Sequence, residues 1–122
     1  MKAIVVPISL QDKLKLIDLG ESELDTYYKY IGCDCIDVVT LYGDGKCTID
    51  CIVDDVGLLN NSPINEYWVR AHRQGQANYE LAGISVISMT DRRSGDTCEL
   101  NIEFVKGILK KLYAFTDDDF SF

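Results

Sequence analysis

The stretch IGCDCIDVV at residues 31–39, followed by DDVGLLNNSPIN at residues 54–65, decides the predicted fold. β-Branched residues recur through residues 36–40 and again through residues 48–53, on either side of the turn Gly43-Asp44-Gly45. Such runs around a glycine-containing turn are typical of a β-hairpin. We therefore place a central hairpin here, which leads into a turn-rich loop.

Working outward towards the N-terminus, short apolar runs at residues 3–7 and 15–19 predict two early strands that form an edge hairpin. The next segment predicts a helix between a capping Ser22 and a terminating Gly32. Its apolar side chains recur at helical spacing, at Leu24, Tyr27, Tyr28 and Ile31.

Towards the C-terminus, residues 81–89 predict a strand in which Gly83 marks a bulge or a close approach. A final amphipathic helix is predicted after Asn101, a suitable N-cap residue. Its apolar face is Ile102, Val105, Ile108, Leu109 and Leu112. The predicted fold is α+β: a small, mainly antiparallel sheet with a helix in the N-terminal half and a C-terminal helix. We assign residues 1–113 to one domain and residues 114–122 to an acidic, aromatic tail.

Composition narrows the classes of function. The chain has 122 residues, of which 47% are apolar, enough for one domain with its own core. No apolar run approaches the roughly 20 residues that cross a bilayer, and no secretion signal is visible, so we expect a cytoplasmic protein with no membrane partner. A net charge of −8 repels phosphate backbones, so we expect no nucleic-acid partner either.

The five cysteines are an odd number, and we expect reduced thiols. Cys33 and Cys35, and likewise Cys47 and Cys51, are spaced to share a strand face, where thiolates could hold zinc. A two-residue hairpin loop would place the two pairs on opposite faces, and a three-residue loop would bring them together. Because buried free cysteines also behave as small hydrophobic residues, we expect no metal site and no cofactor.

Most of the chain resembles a family of small proteins of unknown function that are encoded mainly by bacteriophages and mobile elements. The resemblance lies in the order of the predicted elements and in four motifs: Ile31-Gly32, residues 54–59, residues 63–65 and residues 81–87. It brings no established activity, and it implies an accessory role during infection or transfer. We predict no enzyme, because the single histidine, His72, has no nucleophile motif beside it and no phosphate-binding loop occurs.

The charge pattern predicts a binding site instead. All four arginines, Arg70, Arg73, Arg92 and Arg93, fall in one segment of an acidic chain, and their planar forks are suited to clamp phosphates. The predicted ligand site also includes side chains for stacking and for hydrogen bonds to a base, namely Asn60, Asn61, Asn65, Tyr67, Trp68 and His72. The alternative is that the arginines pair with carboxylates while Trp68 anchors the loop in the core.

Two functional hypotheses follow. In the first, a phage accessory protein sequesters an anionic nucleotide-type signal of host immunity. In the second, an acidic protein binds and inhibits a host defence or repair protein through its acidic surface or its tail, as a mimic of DNA or of the acidic tip of bacterial single-stranded-DNA-binding proteins. The tail resembles that tip. The tail residues concerned are Asp117, Asp118, Asp119, Phe120 and Phe122. An open sheet edge could also make a homo-oligomer, with a ligand between protomers.

Overall fold

A computed structural model describes residues 1–57, 62–75 and 81–122. The described part holds three α-helices, α1 (Glu23–Ile31), α2 (Glu66–Arg73) and α3 (Ile102–Tyr113). The strands are β1 (Lys2–Val6), β2 (Lys15–Asp18), β3 (Ile36–Gly43), β4 (Cys47–Asp54), β5 (Ser85–Asp91) and β6 (Thr97–Cys98). The predicted α+β class is confirmed. No helix within the described residues is both long and apolar enough to span a membrane.

The six strands form one antiparallel sheet in the order β2-β1-β5-β4-β3, and β6 pairs with the end of β5. β5 lies at the centre, between β1 and β4. The early strands and the central hairpin are present as predicted, but the strand predicted at residues 81–89 begins only at Ser85. Gly83 explains this shift, because its φ of 77° interrupts the extended chain before β5.

The turn of the central hairpin is tied by Asp44, whose carboxylate accepts hydrogen bonds from the backbone amides of Lys46 and Cys47. The register shifts between Thr40 and Tyr42, so the hairpin also contains a bulge. Cys47 and Cys51 belong to the core on one face of the sheet, whereas Cys33 and Cys35 precede β3.

Helix α1 lies on one face of the sheet and carries the predicted caps. Ser22 accepts a hydrogen bond from the Asp25 amide, and Gly32 ends the helix with a φ of 75°. Tyr27 is the buried residue of this helix. It packs in a small cluster with Ala3, Val5, Leu19, Ile52 and Val86.

Helices α2 and α3 cover the opposite face, where the larger core lies. Trp68 is fully buried there, with its ring edge-on to Tyr113 at 5.7 Å and tilted against Phe115 at 5.4 Å. Val105 and Leu109 of α3 complete the contact between the helices and the sheet. The predicted N-cap of α3 is confirmed, since Asn101 accepts a hydrogen bond from the Phe104 amide.

Residues 114–122, which the sequence pattern assigns to a tail, pack against this same core. Phe115 is 3% exposed and Phe120 is 5% exposed. The 3₁₀ turn Asp117–Asp119 lies between them. The segment is therefore continuous with the fold, and its aromatic rings lie in the hydrophobic core on the α2/α3 side.

Candidate functional site

Helix α2 positions the first pair of predicted arginines. Its buried side is formed by Tyr67, Trp68 and Ala71, a spacing that fits one face of a short helix. Arg70 and Arg73 are three residues apart and therefore lie on neighbouring turns of one side. Both line a depression of about 430 Å³, together with Leu10, Ile64, Glu66, Val69 and Gln74.

Asn65, predicted to contact a ligand, is the N-cap of α2 and is fully buried. Its side-chain oxygen accepts a hydrogen bond from the Tyr67 amide, and its amide nitrogen donates to the carbonyls of Pro7 and Gly83 at 3.0 Å each. Because both ends of the side-chain amide are engaged, Asn65 fixes the start of α2 relative to β1 and β5.

The two aromatic residues predicted to stack on a ligand have no exposed surface. Trp68 donates from Nε1 to the Ser85 hydroxyl at 3.0 Å, and the Tyr67 hydroxyl donates to the carbonyl of Asp12. Their positions match the alternative in which this segment is anchored in the core. A ligand in the depression therefore meets the aliphatic side chains of Leu10, Ile64 and Val69 instead of an aromatic ring.

Arg70 is held from two directions. Its guanidinium donates to both carboxylate oxygens of Asp119, at 2.6 and 3.3 Å, and lies over the rings of Tyr67 and Phe115. Burial alone would raise the pKa of the Asp119 carboxyl, but hydrogen bonds from Arg70 and the Thr116 amide, with the Arg70 charge, hold that pKa below its usual value. The Nε atom of Arg70 is buried and makes no hydrogen bond in the described part.

Arg73 differs from Arg70 because its side chain is exposed. It stands at the last residue of α2, where the C-terminal end of the helix favours a cation. The depression also contains one carboxylate, Glu66, which accepts a hydrogen bond from the Leu10 amide at 3.0 Å. The depression is therefore lined by two guanidinium groups and one tethered carboxylate, and the Arg70 guanidinium is already paired with Asp119.

The second predicted pair lies at another place. Arg92 donates to the Asp44 carbonyl at 2.9 Å, and so ties the end of β5 to the central hairpin turn. Arg93 lines a separate depression with Gly45, Lys46 and Asp91. The structure thus brings Arg70 and Arg73 together and assigns Arg92 and Arg93 to the turns at the hairpin end of the sheet.

The three remaining residues of the predicted ligand site are His72, Asn60 and Asn61. His72 is exposed on the last turn of α2. Asn60 and Asn61 lie outside the described residues. Sequence reasoning missed Leu10 as a lining residue, because the contact joins distant parts of the chain and no local pattern encodes it.

Four of the five tail residues predicted to bind a partner are engaged within the chain. Asp119 pairs with Arg70, Asp117 accepts a hydrogen bond from Lys110 at 2.9 Å, and Phe120 is buried. Lys106, which the sequence analysis did not single out, donates to the main-chain oxygen of Phe122 at 2.8 Å. Asp118 is exposed.

The sequence analysis also did not predict that a carboxylate, that of Asp50, is buried on the α1 face. Asp50 is 8% exposed and accepts hydrogen bonds from the hydroxyls of Thr90, Thr48 and Thr40, at 2.6, 3.1 and 3.4 Å. Three hydroxyl donors satisfy much of its acceptor capacity, so the cluster is a stable polar part of the sheet.

The cysteines are dispersed. Burial raises the pKa of Cys51 to about 12, which suits an inert core thiol. Cys33 and Cys35 line a shallow depression with Asp34 and Asp54. In the part of the chain that the structure describes, no three His, Cys, Asp or Glu side chains are grouped as a metal site.

The chain belongs to a family described as a domain of unknown function, DUF3846, whose family model matches residues 1–113. This finding confirms the predicted membership in an uncharacterised family. Neither the curated proteins nor the solved structures gave a match. Residues 114–122 lie beyond the matched region.

Proposed function

We propose that this member of an uncharacterised family is a non-catalytic binding protein that captures an anionic, nucleotide-type molecule in the depression beside α2. The observation that carries the proposal is that Arg70 and Arg73 line the same depression. In a chain with a net charge of −8, a depression lined by two guanidinium groups, one of which is paired with Asp119, offers cationic groups to an anion.

The chemistry of the lining fits a phosphate-bearing ligand. The planar fork of an arginine presents several N–H donors that match phosphate oxygens. Arg73 offers such a fork, whereas the Arg70 fork binds Asp119 and would have to exchange that carboxylate for a phosphate. The volume of about 430 Å³ lies within the usual range of small-molecule sites, about 300–1,000 Å³. The aliphatic walls formed by Leu10, Ile64 and Val69 would contact a base or sugar.

The biological role in this proposal comes from the resemblance to phage-encoded proteins. A binding protein without catalytic machinery acts by withholding its ligand, so we propose sequestration of a nucleotide signal of host immunity. The affinity would come from arginine groups that the fold has already positioned, since pre-organisation reduces the entropy lost on binding.

A thermal-shift screen tests this proposal. The full chain is heated with cyclic dinucleotides, cyclic trinucleotides and ADP-ribose-type molecules at increasing concentration. A ligand at about 100 times its Kd stabilises the native state by about 2.7 kcal/mol, a rise in Tm of about 10 °C for a chain of this size. The same screen on Arg73→Gln should lose the shift.

The matched control is Arg93→Gln, which removes the same charge from a different depression and should keep the shift. Arg73 is a better test than Arg70, because replacing Arg70 also breaks the pair with Asp119 and weakens the fold. A shift that survives in Arg73→Gln, or the absence of any shift across the three ligand classes, would contradict the proposed site.

A second candidate function, inhibition of a basic host protein, is favoured by the edge strand β3, which pairs with a strand on one side only among the described residues. β3 is an edge strand on which Val38 is 50% exposed, and Asp34, Asp37 and Asp55 are exposed around it. An open acidic edge suits a basic extended segment. Binding of a basic target protein should weaken with salt and be lost in Val38→Pro/Asp37→Lys, while Arg73→Gln should retain it.

A further inference from the structure

The C-terminal segment lies along the connection between β1 and β2 in a strand-like arrangement. The Leu14 amide donates to the carbonyl of Asp119 at 2.8 Å, and the Ser121 amide donates to the carbonyl of Leu14 at 3.0 Å. Leu14 and Phe120 form a parallel bridge. These main-chain bonds fix the register of the segment without depending on its side chains.

Cations of α2 and α3 recognise the side chains of the segment. Arg70 binds the Asp119 carboxylate with two hydrogen bonds, and the Asp119 side chain is only 10% exposed. The Lys106 ammonium lies 5.1 Å from the ring centre of Phe120 and 5.5 Å from that of Phe122. Cation–π contacts of this kind add to the burial of the rings.

The contacts define a recognition pattern in the occupant: a carboxylate, an aromatic residue, one further residue and a second aromatic residue. Asp119-Phe120-Ser121-Phe122 supplies this pattern. The groove that reads it is formed by Leu14, Arg70 and Lys106, which all lie within the family match at residues 1–113. The occupant, residues 119–122, lies outside that match.

We propose that this groove is a binding site for an acidic, aromatic segment of a partner protein, and that residues 116–122 close it until such a segment replaces them. The proposal goes beyond nucleotide capture, because the groove does not involve Arg73. The partner segment is identified by its chemistry: a carboxylate for Arg70, followed by two aromatic rings for Lys106. The chain has 12 Lys and Arg residues against 20 Asp and Glu residues, and the groove contains two of these cations.

The attached segment is a strong competitor. A tethered occupant acts at an effective concentration of about a millimolar, so a free peptide at micromolar concentration displaces little of it. A test therefore needs a full chain whose own segment is weakened. Asp119→Asn with Phe122→Ala removes the charge for Arg70 and the half-buried outer ring, and it leaves the buried Phe120 in place.

The probe is a fluorescent nine-residue peptide with the sequence AFTDDDFSF of residues 114–122, and its binding to the full chain is measured by anisotropy. The double variant should bind the probe at least tenfold more tightly than the wild-type chain. Adding Lys106→Ala should reverse this gain, while adding Arg93→Gln should preserve it. A control peptide that carries the substitutions Asp119→Asn and Phe120→Ala should not bind.

A second measurement covers the case in which the double variant does not fold. The wild-type chain, labelled with ¹⁵N, is titrated with unlabelled probe to several times the effective concentration of the tethered segment. The resonances of residues 116–122 should move towards those of a free peptide while those of α3 keep their native dispersion. A folded double variant without tighter binding, or unchanged tail resonances at the end of the titration, would overturn the proposal.

The two functional claims fail independently. Arg73→Gln should abolish nucleotide-dependent stabilisation and leave probe binding unchanged. Lys106→Ala should abolish probe binding and leave nucleotide-dependent stabilisation unchanged.

Discussion

The two faces of the sheet are built differently. The α2/α3 face holds the fully buried Trp68, and its core continues into the C-terminal segment through Phe115 and Phe120. The α1 face has a smaller apolar cluster, and there the sheet also buries the carboxylate of Asp50 among threonine hydroxyls. The proposed small-molecule site and the proposed peptide site both lie on the α2/α3 face. The face with the larger apolar core therefore also positions Arg70, Arg73 and Lys106.

This difference bears on the anion site proposed for an acidic protein. Arg70 is fixed by the aromatic residues beneath it and by Asp119, so its position depends on the core of the α2/α3 face. The exposed carboxylates of β3 and its neighbours lie at the other edge of the sheet from β2. Changes to the two faces should therefore have unequal effects on stability and on binding.

The largest expected effect comes from Trp68→Ala on the α2/α3 face. Removing a fully buried indole creates a cavity and leaves the Ser85 hydroxyl without its donor, so the free energy of unfolding should fall by about 3–5 kcal/mol. Urea denaturation measures the loss. Leu24→Ala is the control, because Leu24 on α1 is 47% exposed and its truncation should cost little. Equal losses of unfolding free energy in the two variants would contradict the unequal contributions of the two faces to stability.

Arg70→Gln should have the next largest effect. It leaves a mostly buried Asp119 without its cation, and because the Arg70 side chain retains 23% exposure we expect a loss of about 1–3 kcal/mol. Amide exchange should speed up in residues 116–122. Lys110→Gln removes a surface pair with the exposed Asp117, and it should change stability much less than Arg70→Gln does. A similar cost for both variants would mean that the Arg70 pair is no more important than a surface contact.

The same pair predicts a pH dependence. The pKa of Asp119 is lower in the folded state than its ordinary value of 3.8, so its contribution to stability is present above that value and lost as pH falls through the folded pKa. The stability difference between the wild-type chain and Asp119→Asn should be full at pH 6 and shrink below about pH 3.8. Denaturation curves at several pH values give the difference. A gap that stays constant down to pH 2 would contradict the assigned ion pair.

Among the variants of buried side chains, Asp50→Asn on the α1 face should have the smallest effect, within about 1 kcal/mol. The amide can still accept a hydrogen bond, it can donate to a hydroxyl, and it removes the cost of burying a charge. Asp50→Ala is the comparison, since it leaves three hydroxyls without their acceptor and should cost more. If Asp50→Asn lowers the free energy of unfolding as much as Arg70→Gln does, the negative charge of Asp50 would itself be needed for the stability of the α1 face.

Local sequence patterns predicted the parts of the fold that local chemistry determines. The caps Ser22, Gly32 and Asn101 mark helix ends because a side-chain oxygen or a positive φ is required at those positions. Helix α2 was not predicted, since its eight residues make a marginal helix that tertiary contacts stabilise. The polar and aromatic composition of residues 65–73 therefore led to the prediction of an exposed ligand site.

The candidate site was predicted only in part. Arg70 and Arg73 were identified because the four arginines fall in one segment of an acidic chain, and the structure places these two in one depression. The docking of the C-terminal segment could not be predicted, because its hydrogen bonds join residues such as Leu14 and Ser121 that are 107 positions apart. An acidic run has the composition of a solvated tail, and only the distant Arg70 and Lys106 give it a place to bind.

The most direct test of nucleotide capture is an NMR titration of the arginine Nε–H signals of the full chain with the ligand that gives the largest thermal shift. Arg70 and Arg73 should shift together and saturate at one stoichiometry, while Arg92 and Arg93 remain unchanged. Shifts confined to Arg92 and Arg93, or no shift at Arg73, would contradict the assignment of the binding site to α2.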